Sequence, residues 1–416
     1  MPMNALSPLF RRSRLAPLTL ACSLLVSGHV WAQSAAPAPT AASALAPAAT
    51  APAGVDMVSS LSNIPAPTLS VKAWLTLDAN SGQIIAAQNP QMAVEPASLT
   101  KLMSAYVIFE AIEDGRLKLD QKVHVSEKAW KTEGSRMFIN PNTDVLVDDL
   151  LQGMLVQSGN DATVALAEAV AGSESAFAAL MNEQAKALGM KHTHFTNAPG
   201  LPDPDHMTTV EDLAILARAL VQQFPQYRHY DSQKEFTYNK IKQSNRNRLL
   251  WADSTVDGLK TGHTESAGFC LVATALRDGR RVVSVLVGAP SDAARTESSL
   301  KLLNWSFQNF DTVKLLDKGK SAVSARVWEG ATENAELGLA GDLWVTVPRG
   351  RAGDVKTEAR YTQPLMAPLT EGAQAGTLLI SLDGKELARR PLLVLHSVDE
   401  AGFFGRLVDK VRLLFQ

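Results

Sequence analysis

Phe269-Cys270-Leu271-Val272-Ala273-Thr274-Ala275, the break Arg277-Asp278-Gly279 and the run Val282-Val283-Ser284-Val285-Leu286-Val287 decide the fold class of this chain. Two short apolar runs rich in β-branched residues, joined by a turn containing Gly, read as a β-hairpin. Neither run alternates apolar with polar residues, so both strands are expected to be largely buried. Upstream, Val71-Lys72-Ala73-Trp74-Leu75-Thr76-Leu77-Asp78, the turn Ala79-Asn80-Ser81-Gly82 and Gln83-Ile84-Ile85-Ala86 read as strand, turn, strand. Between these hairpins, apolar residues recur at helical spacing over 99–112, 147–156, 162–170, 176–188 and 211–224, and a further helix is expected over 293–307. Strands at both ends of a helical middle predict an α+β domain, an antiparallel sheet with a helical subdomain.

From about Val313 the texture changes. Short alternating runs at 323–327, 343–347 and 377–381, separated by Gly and Pro turns, read as a small β-rich C-terminal domain. The last residues differ again. On a helical wheel Phe403, Phe404, Leu407, Val408, Val411, Leu414 and Phe415 share one arc, with Arg406, Asp409, Lys410 and Arg412 outside it and Leu413 breaking the pattern. Aromatic residues on one face and bases beside it suit an amphipathic helix lying in a membrane interface.

At the other end, Arg11, Arg12 and Arg14 precede an apolar run over 15–26 and then Val30-Trp31-Ala32, the pattern of a signal peptide cleaved before Gln33. The run is shorter than the roughly 20 residues of a spanning helix. A stretch of Ala, Pro, Ser and Thr with almost no charge follows and reads as a flexible tether. The expected organisation is a signal peptide (1–32), a linker (33–66), the α+β domain (67–312), a β domain (313–396) and an amphipathic helix (397–416).

With 416 residues, more than one domain is the default. A formal net charge of −2 gives no basis for binding nucleic acid. Cleavage after Ala32 would leave Cys270 as the one cysteine, so no internal disulfide is available to the exported chain. Its apolar neighbours mark Cys270 as a buried small hydrophobe. His192, His194 and His206 lack the grouping of a metal site, and neither a metal nor another cofactor is expected.

Three motifs carry the chemistry: Ser98-Leu99-Thr100-Lys101, then Ser158-Gly159-Asn160, then Lys260-Thr261-Gly262. The first alone is weak, because Ser298-Ser299-Leu300-Lys301 satisfies it as well. A serine hydroxyl needs a nearby base to act as a nucleophile. Positions i and i+3 share a helix face, so the Ser98 hydroxyl and the Lys101 amine can meet. A lysine serves as a base when burial or neighbouring positive charge lowers its pKa. Pro96 sets the helix start, where the Ser98 N–H can help hold an oxyanion. Ser158 can relay a proton, and Asn160 can orient Lys101 or grip a substrate carbonyl. Lys260-Thr261-Gly262 precedes the strand from Phe269, whose edge could take up an extended peptide. Lys260 would add charge near Lys101, and Gly262 would leave room for a ligand backbone.

In this order the triple resembles the signature of penicillin-binding proteins and class A β-lactamases. The contexts Glu95-Pro96-Ala97-Ser98-Leu99-Thr100-Lys101-Leu102-Met103, Val256-Asp257-Gly258-Leu259-Lys260-Thr261-Gly262-His263-Thr264 and Ala267-Gly268-Phe269-Cys270-Leu271-Val272-Ala273 are similar to the low-molecular-mass D-alanyl-D-alanine carboxypeptidases. The similarity runs from about Leu69 to Gln416 and takes in Glu400-Ala401-Gly402-Phe403-Phe404. It implies a β-lactamase/DD-peptidase-like catalytic domain in which Ser98 is acylated, Lys101 is its base, and Ser158 and Asn160 form the second motif. It further implies that Lys260, Thr261 and Gly262 form the third, that the His263 N–H is the second oxyanion donor, and that Arg295 receives the substrate's terminal carboxylate. The partners implied are peptidoglycan stem peptides, β-lactams and, through residues 399–416, the periplasmic surface of the inner membrane. A DD-endopeptidase, a β-lactamase and a non-catalytic wall-binding relative share this fold and remain alternatives. Against the β-lactamase stand Ser-Gly-Asn in place of Ser-Asp-Asn, the extra β domain, and a loop over 197–209 that offers Asp203 and Asp205 but no Glu-x-x-Leu-Asn.

Overall fold

The computed structural model describes residues 57–415. The expected signal peptide and the tether up to residue 56 lie outside the described residues. Strands β1 (Ala73–Asp78) and β2 (Ile84–Gln88) form the first hairpin. The helical middle runs through α1 (Lys101–Glu113), β3 (Lys122–His124), α2 (Glu127–Lys131), β4 (Asp144–Leu146), α3 (Val147–Leu155), α4 (Asn160–Ala171), α5 (Glu174–Leu188) and α6 (Val210–Gln223). Side chains of Ser173 and Thr209 cap the starts of α5 and α6 by accepting from backbone N–H groups. Then α7 (Arg228–Ser232), β5 (Glu235–Tyr238), β6 (Ile241–Ser244) and α8 (Leu249–Ala252) lead into β7 (Val256–Thr264), β8 (Gly268–Arg277) and β9 (Arg280–Ala289), closed by α9 (Asp292–Asn309).

The central sheet is antiparallel with order β2-β1-β9-β8-β7, so the two hairpins join through β1 and β9 and leave β7 at an edge. Both faces are covered. Leu75, Leu77, Val272, Val283 and Val285 pack with the helical middle, whereas Trp74, Leu271, Ala273, Val282 and Leu286 lie in clusters with Leu302 and Leu303 of α9. This two-sided burial is why the hairpin at 269–287 shows no alternation.

Two expectations need correction. Lys260-Thr261-Gly262 does not precede the edge strand but lies on it, within β7. Its Gly-rich polar sequence lacks a strand pattern, and pairing with β8 supplies the structure. Residues 57–66, the end of the expected linker, pack on the first domain. Val58–Leu61 forms a 3₁₀ turn whose Val58 is fully buried in a cluster with Ile85, Leu249 and Phe310, and Trp305 Nε1 donates to the Pro65 carbonyl.

The β domain contains β10 (Phe310–Leu316), β11 (Ser321–Trp328), β12 (Asn334–Gly338), β13 (Leu343–Pro348), β14 (Lys356–Tyr361), β15 (Leu365–Met366), β16 (Gln374–Leu382) and β17 (Lys385–Val394). β10 pairs with β13, and the other six form a sheet of order β14-β16-β17-β12-β11-β15 around a separate core that includes Val327, Leu337, Val345 and Ile380. A buried polar seam joins this domain to the first. Asp78, fully buried, accepts from Arg280 Nε at 2.9 Å and Thr312 Oγ1 at 2.6 Å, while the Ser81 and Thr346 hydroxyls meet at 2.7 Å.

The final helix, α10 (Phe403–Leu413), has no buried residue. Its polar side is tied back: Asp409 accepts from the Glu329 N–H at 2.8 Å, and Arg406 pairs with Glu400. Its apolar side meets solvent: Phe404 on the helix and Phe415 just beyond its end are more than 80% exposed.

Candidate active site

The chain enters α1 through a short 3₁₀ turn, Ala97–Thr100, so Ser98 sits just ahead of the α-helix and Lys101 begins it. Lys101 is fully buried. Its Nζ lies 3.2 Å from Ser98 Oγ, 2.7 Å from Asn160 Oδ1 and 2.8 Å from the Pro199 carbonyl oxygen. A neutral amine has two N–H donors and one lone pair. The two shorter contacts are to oxygens that can only accept, so in the neutral form they would take the N–H groups and the lone pair would face the Ser98 hydroxyl.

Each partner of Lys101 is held in turn. Asn160 opens α4, where its Nδ2 donates to the Glu133 carbonyl at 2.6 Å and its backbone N–H to Ser135 at 2.7 Å. Gly134, at φ +88°, has no room for a side chain: a Cβ there would come within 2.6 Å of Asn160 Nδ2. Asp161 fastens the adjoining loop by accepting from the N–H groups of Met137, Phe138 and Ile139. Asn197 Oδ1 accepts from Gly200 and Leu201 N–H, both at 2.8 Å, to make the turn that presents the Pro199 carbonyl. His206 ties this loop to the first motif. Its Nδ1 accepts from the Thr196 N–H at 3.0 Å, so Nε2 carries the proton toward Thr100 Oγ1 at 2.8 Å.

The second and third motifs converge on the same place. Ser158 is buried in a left-handed conformation (φ +65°), and its Oγ has no hydrogen-bond partner among the described residues. Ser98, Ser158, Thr261, Gly262, His263, Phe269 and Arg295 line one cavity of about 480 Å³, together with Ser135, Arg246, Arg248 and Asp292. A side chain on Gly262 would bring its Cβ to 3.1 Å from the Pro96 carbonyl, which is how closely β7 approaches the turn that carries Ser98. Arg295, near the start of α9, is 4% exposed and pairs with Asp292. The second Ser-x-x-Lys match is unrelated to this cavity: Lys301 Nζ donates to the Thr68 carbonyl in an exposed contact.

The electrostatics shift Lys101 in the direction a base needs. Burial, then the charges of Lys260 and Arg246, hold its pKa well below the usual lysine value, against a smaller opposing pull from Asp161. Lys260, also buried, is pushed down to about 7 by burial and by Arg246 and Arg295. Burial pushes His206 down to about 4, which keeps it neutral, and raises the Cys270 thiol to about 11. Arg246, Arg248, Asp292 and the Pro199 carbonyl were not anticipated from the motifs.

Residues 61–291 match the family described as D-alanyl-D-alanine carboxypeptidase. The chain belongs to the D-alanyl-D-alanine carboxypeptidase family. Residues 310–400 match the penicillin-binding protein 5 C-terminal domain. D-alanyl-D-alanine carboxypeptidase DacC of Escherichia coli is 42% identical over 360 residues, covering 85% of this chain and 90% of the relative. Among solved structures, penicillin binding protein 5 from Haemophilus influenzae aligns with a TM-score of 0.79 at 40% identity, covering 81% of this chain and all of that one. Penicillin-binding protein D2 from Listeria monocytogenes, solved in an ampicillin-bound form, aligns with a TM-score of 0.54 at 32% identity over 59% of this chain. The D-alanyl-D-alanine carboxypeptidase family thus accounts for both folded domains and for the α+β fold expected from the hairpins.

Proposed function

We propose that this enzyme removes the terminal D-alanine from peptidoglycan pentapeptides through an acyl-enzyme on Ser98. Ser98 Oγ attacks the carbonyl carbon between the last two D-alanines while Lys101 takes its proton. The backbone N–H groups of Ser98 and His263 receive the oxyanion, and Arg295 with Thr261 receives the terminal carboxylate. Collapse breaks the peptide bond. The leaving D-alanine amine takes up a proton, relayed through Ser158, and water then hydrolyses the ester to release the shortened peptide. The substrate lies along the edge of β7, with Gly262 leaving space for its backbone.

One observation carries this reading: a buried Lys101 amine whose two short contacts are to acceptors and whose remaining contact is the Ser98 hydroxyl. A β-lactam presents a strained amide beside a carboxylate, so it is expected to acylate the same serine, and the Listeria relative solved with ampicillin supports this. Export by residues 1–32 and attachment of α10 to the periplasmic face of the inner membrane belong to the same reading. The outward apolar face of α10 supports the attachment.

The test is D-alanine release from a wall pentapeptide. The wild type should release it and Ser98→Ala should not. Rapid turnover of penicillin without D-alanine release would point instead to a β-lactamase, and equal release by both proteins would remove Ser98 from the reaction.

A further inference from the structure

Arg295 is buried yet short of acceptors. Its Nε has no hydrogen-bond partner among the described residues, and its contacts to the Cys270 and Arg246 carbonyls are long, at 3.5 and 3.3 Å. Its close partner is the Asp292 carboxylate. The other oxygen of that carboxylate pairs with Arg248 Nε. Asp292 is therefore shared between two guanidinium groups of opposite character: side-chain exposure is 5% for Arg295 and 70% for Arg248. All three residues line the cavity that holds Ser98.

Asp292 holds the Nη2 donor of Arg295 while Nε is unpartnered and the Nη1 contact is long, so a carboxylate arriving with a peptide must share the guanidinium with Asp292 or displace it. Pairing of arginine with carboxylate is strong and directional, and one guanidinium edge cannot serve two carboxylates at full strength. Two carboxylates crowded at one guanidinium also repel each other. We propose that Asp292 is a built-in competitor for the substrate's terminal carboxylate, and that Arg248 is the latch that draws it aside. This rests on Arg295 being the receptor for that carboxylate.

As substrate enters, Arg295 exchanges one carboxylate for another while Asp292 keeps Arg248 as its counter-ion. No charge is left unpaired, and no covalent bond changes. After acylation the leaving D-alanine still has its carboxylate at Arg295, and the return of Asp292 displaces it. The pair thereby sets the apparent affinity for peptides with a free C-terminal carboxylate and weakens rebinding of free D-alanine. Asp292 and Arg248 are specificity-determining residues acting through Arg295.

The test compares two peptides ending in D-Ala-D-Ala, one with a free carboxylate and one with a terminal carboxamide, on the full chain. Asp292→Asn should lower KM for the free acid by roughly three- to tenfold, as expected for removing a charged competitor from one site, and sharpen inhibition by added D-alanine. KM for the amide should move far less. Asp292→Ser, which removes the charge with a different shape, should change KM in the same direction. Arg248→Ala should raise KM for the acid, and in the Asp292→Asn background it should have little further effect, because it acts through Asp292. An unchanged or raised acid KM in both Asp292 variants overturns the proposal, as does an undiminished Arg248→Ala effect in the double variant. Arg295→Lys separates the two levels. If it leaves the preference for acid over amide unchanged, the carboxylate receptor itself is misassigned. If it lowers that preference while the Asp292 variants do not raise it, the competitor alone is wrong.

Discussion

Helices α1 and α10 handle apolar surface in opposite ways. In α1, Lys101 through Phe109 are all buried, including the amine that faces Ser98. In α10 nothing is buried, and its large apolar residues point to solvent while Asp409 accepts from the Glu329 N–H. Burial on α1 removes water from Lys101 and lowers its pKa, as the proposed role of base requires. Exposure on α10 keeps an apolar face uncovered, which is what the proposed attachment to a membrane requires. The proposed chemistry sits where water is excluded, and the proposed attachment sits where apolar surface remains uncovered.

The comparison breaks most readily at Lys101. Lys101→Ala should slow acylation by labelled penicillin by a factor on the order of 10²–10⁴, the usual contribution of a positioned base. Arg at this position should not restore it, because a guanidinium stays protonated. The pH dependence has a definite sign. Acylation needs the neutral amine, so the rate should fall on the acid side as Lys101 takes up a proton, with a midpoint below the ordinary lysine value of 10.5. A Lys101-dependent limb at that ordinary value would mean the amine is not desolvated in the working enzyme.

Stability should separate the two helices as well. Leu102, fully buried on α1, should cost about 2–5 kcal/mol when replaced by Ala, read from chemical denaturation. Phe404→Asp on α10 should sharply reduce binding to anionic lipid vesicles while leaving release of D-alanine from a soluble peptide intact. Undiminished vesicle binding would remove α10 as the attachment. The smallest effect is expected for Leu407→Ala, half-exposed on α10, whose stability should stay within about 0.5 kcal/mol of the wild type.

Much of this was legible before the structure, for physical reasons. Ser98 and Lys101 are three residues apart, so a single turn of chain brings them together. The hairpin at 269–287 announces itself because a strand buried on both faces must be apolar throughout. The partners that complete the base are less visible. Pro199 contributes a backbone carbonyl, which any residue could supply, and Arg246 and Asp292 reach the cavity through long-range packing without a motif around them. The strand carrying Lys260 has no sequence signal because Gly258, Lys260, Thr261 and Gly262 interrupt the pattern that marks a strand, and register with β8 supplies the order. Val58 falls in the expected linker because one buried side chain after an Ala/Pro tract makes no periodic signal.

The most direct test of the central claim is the mass of the intact protein after exposure to penicillin, followed by mapping of the modified peptide. The account predicts one adduct, on Ser98, absent in Ser98→Ala and formed much more slowly in Lys101→Ala. An adduct on another residue, or undiminished labelling of folded Ser98→Ala, would contradict it.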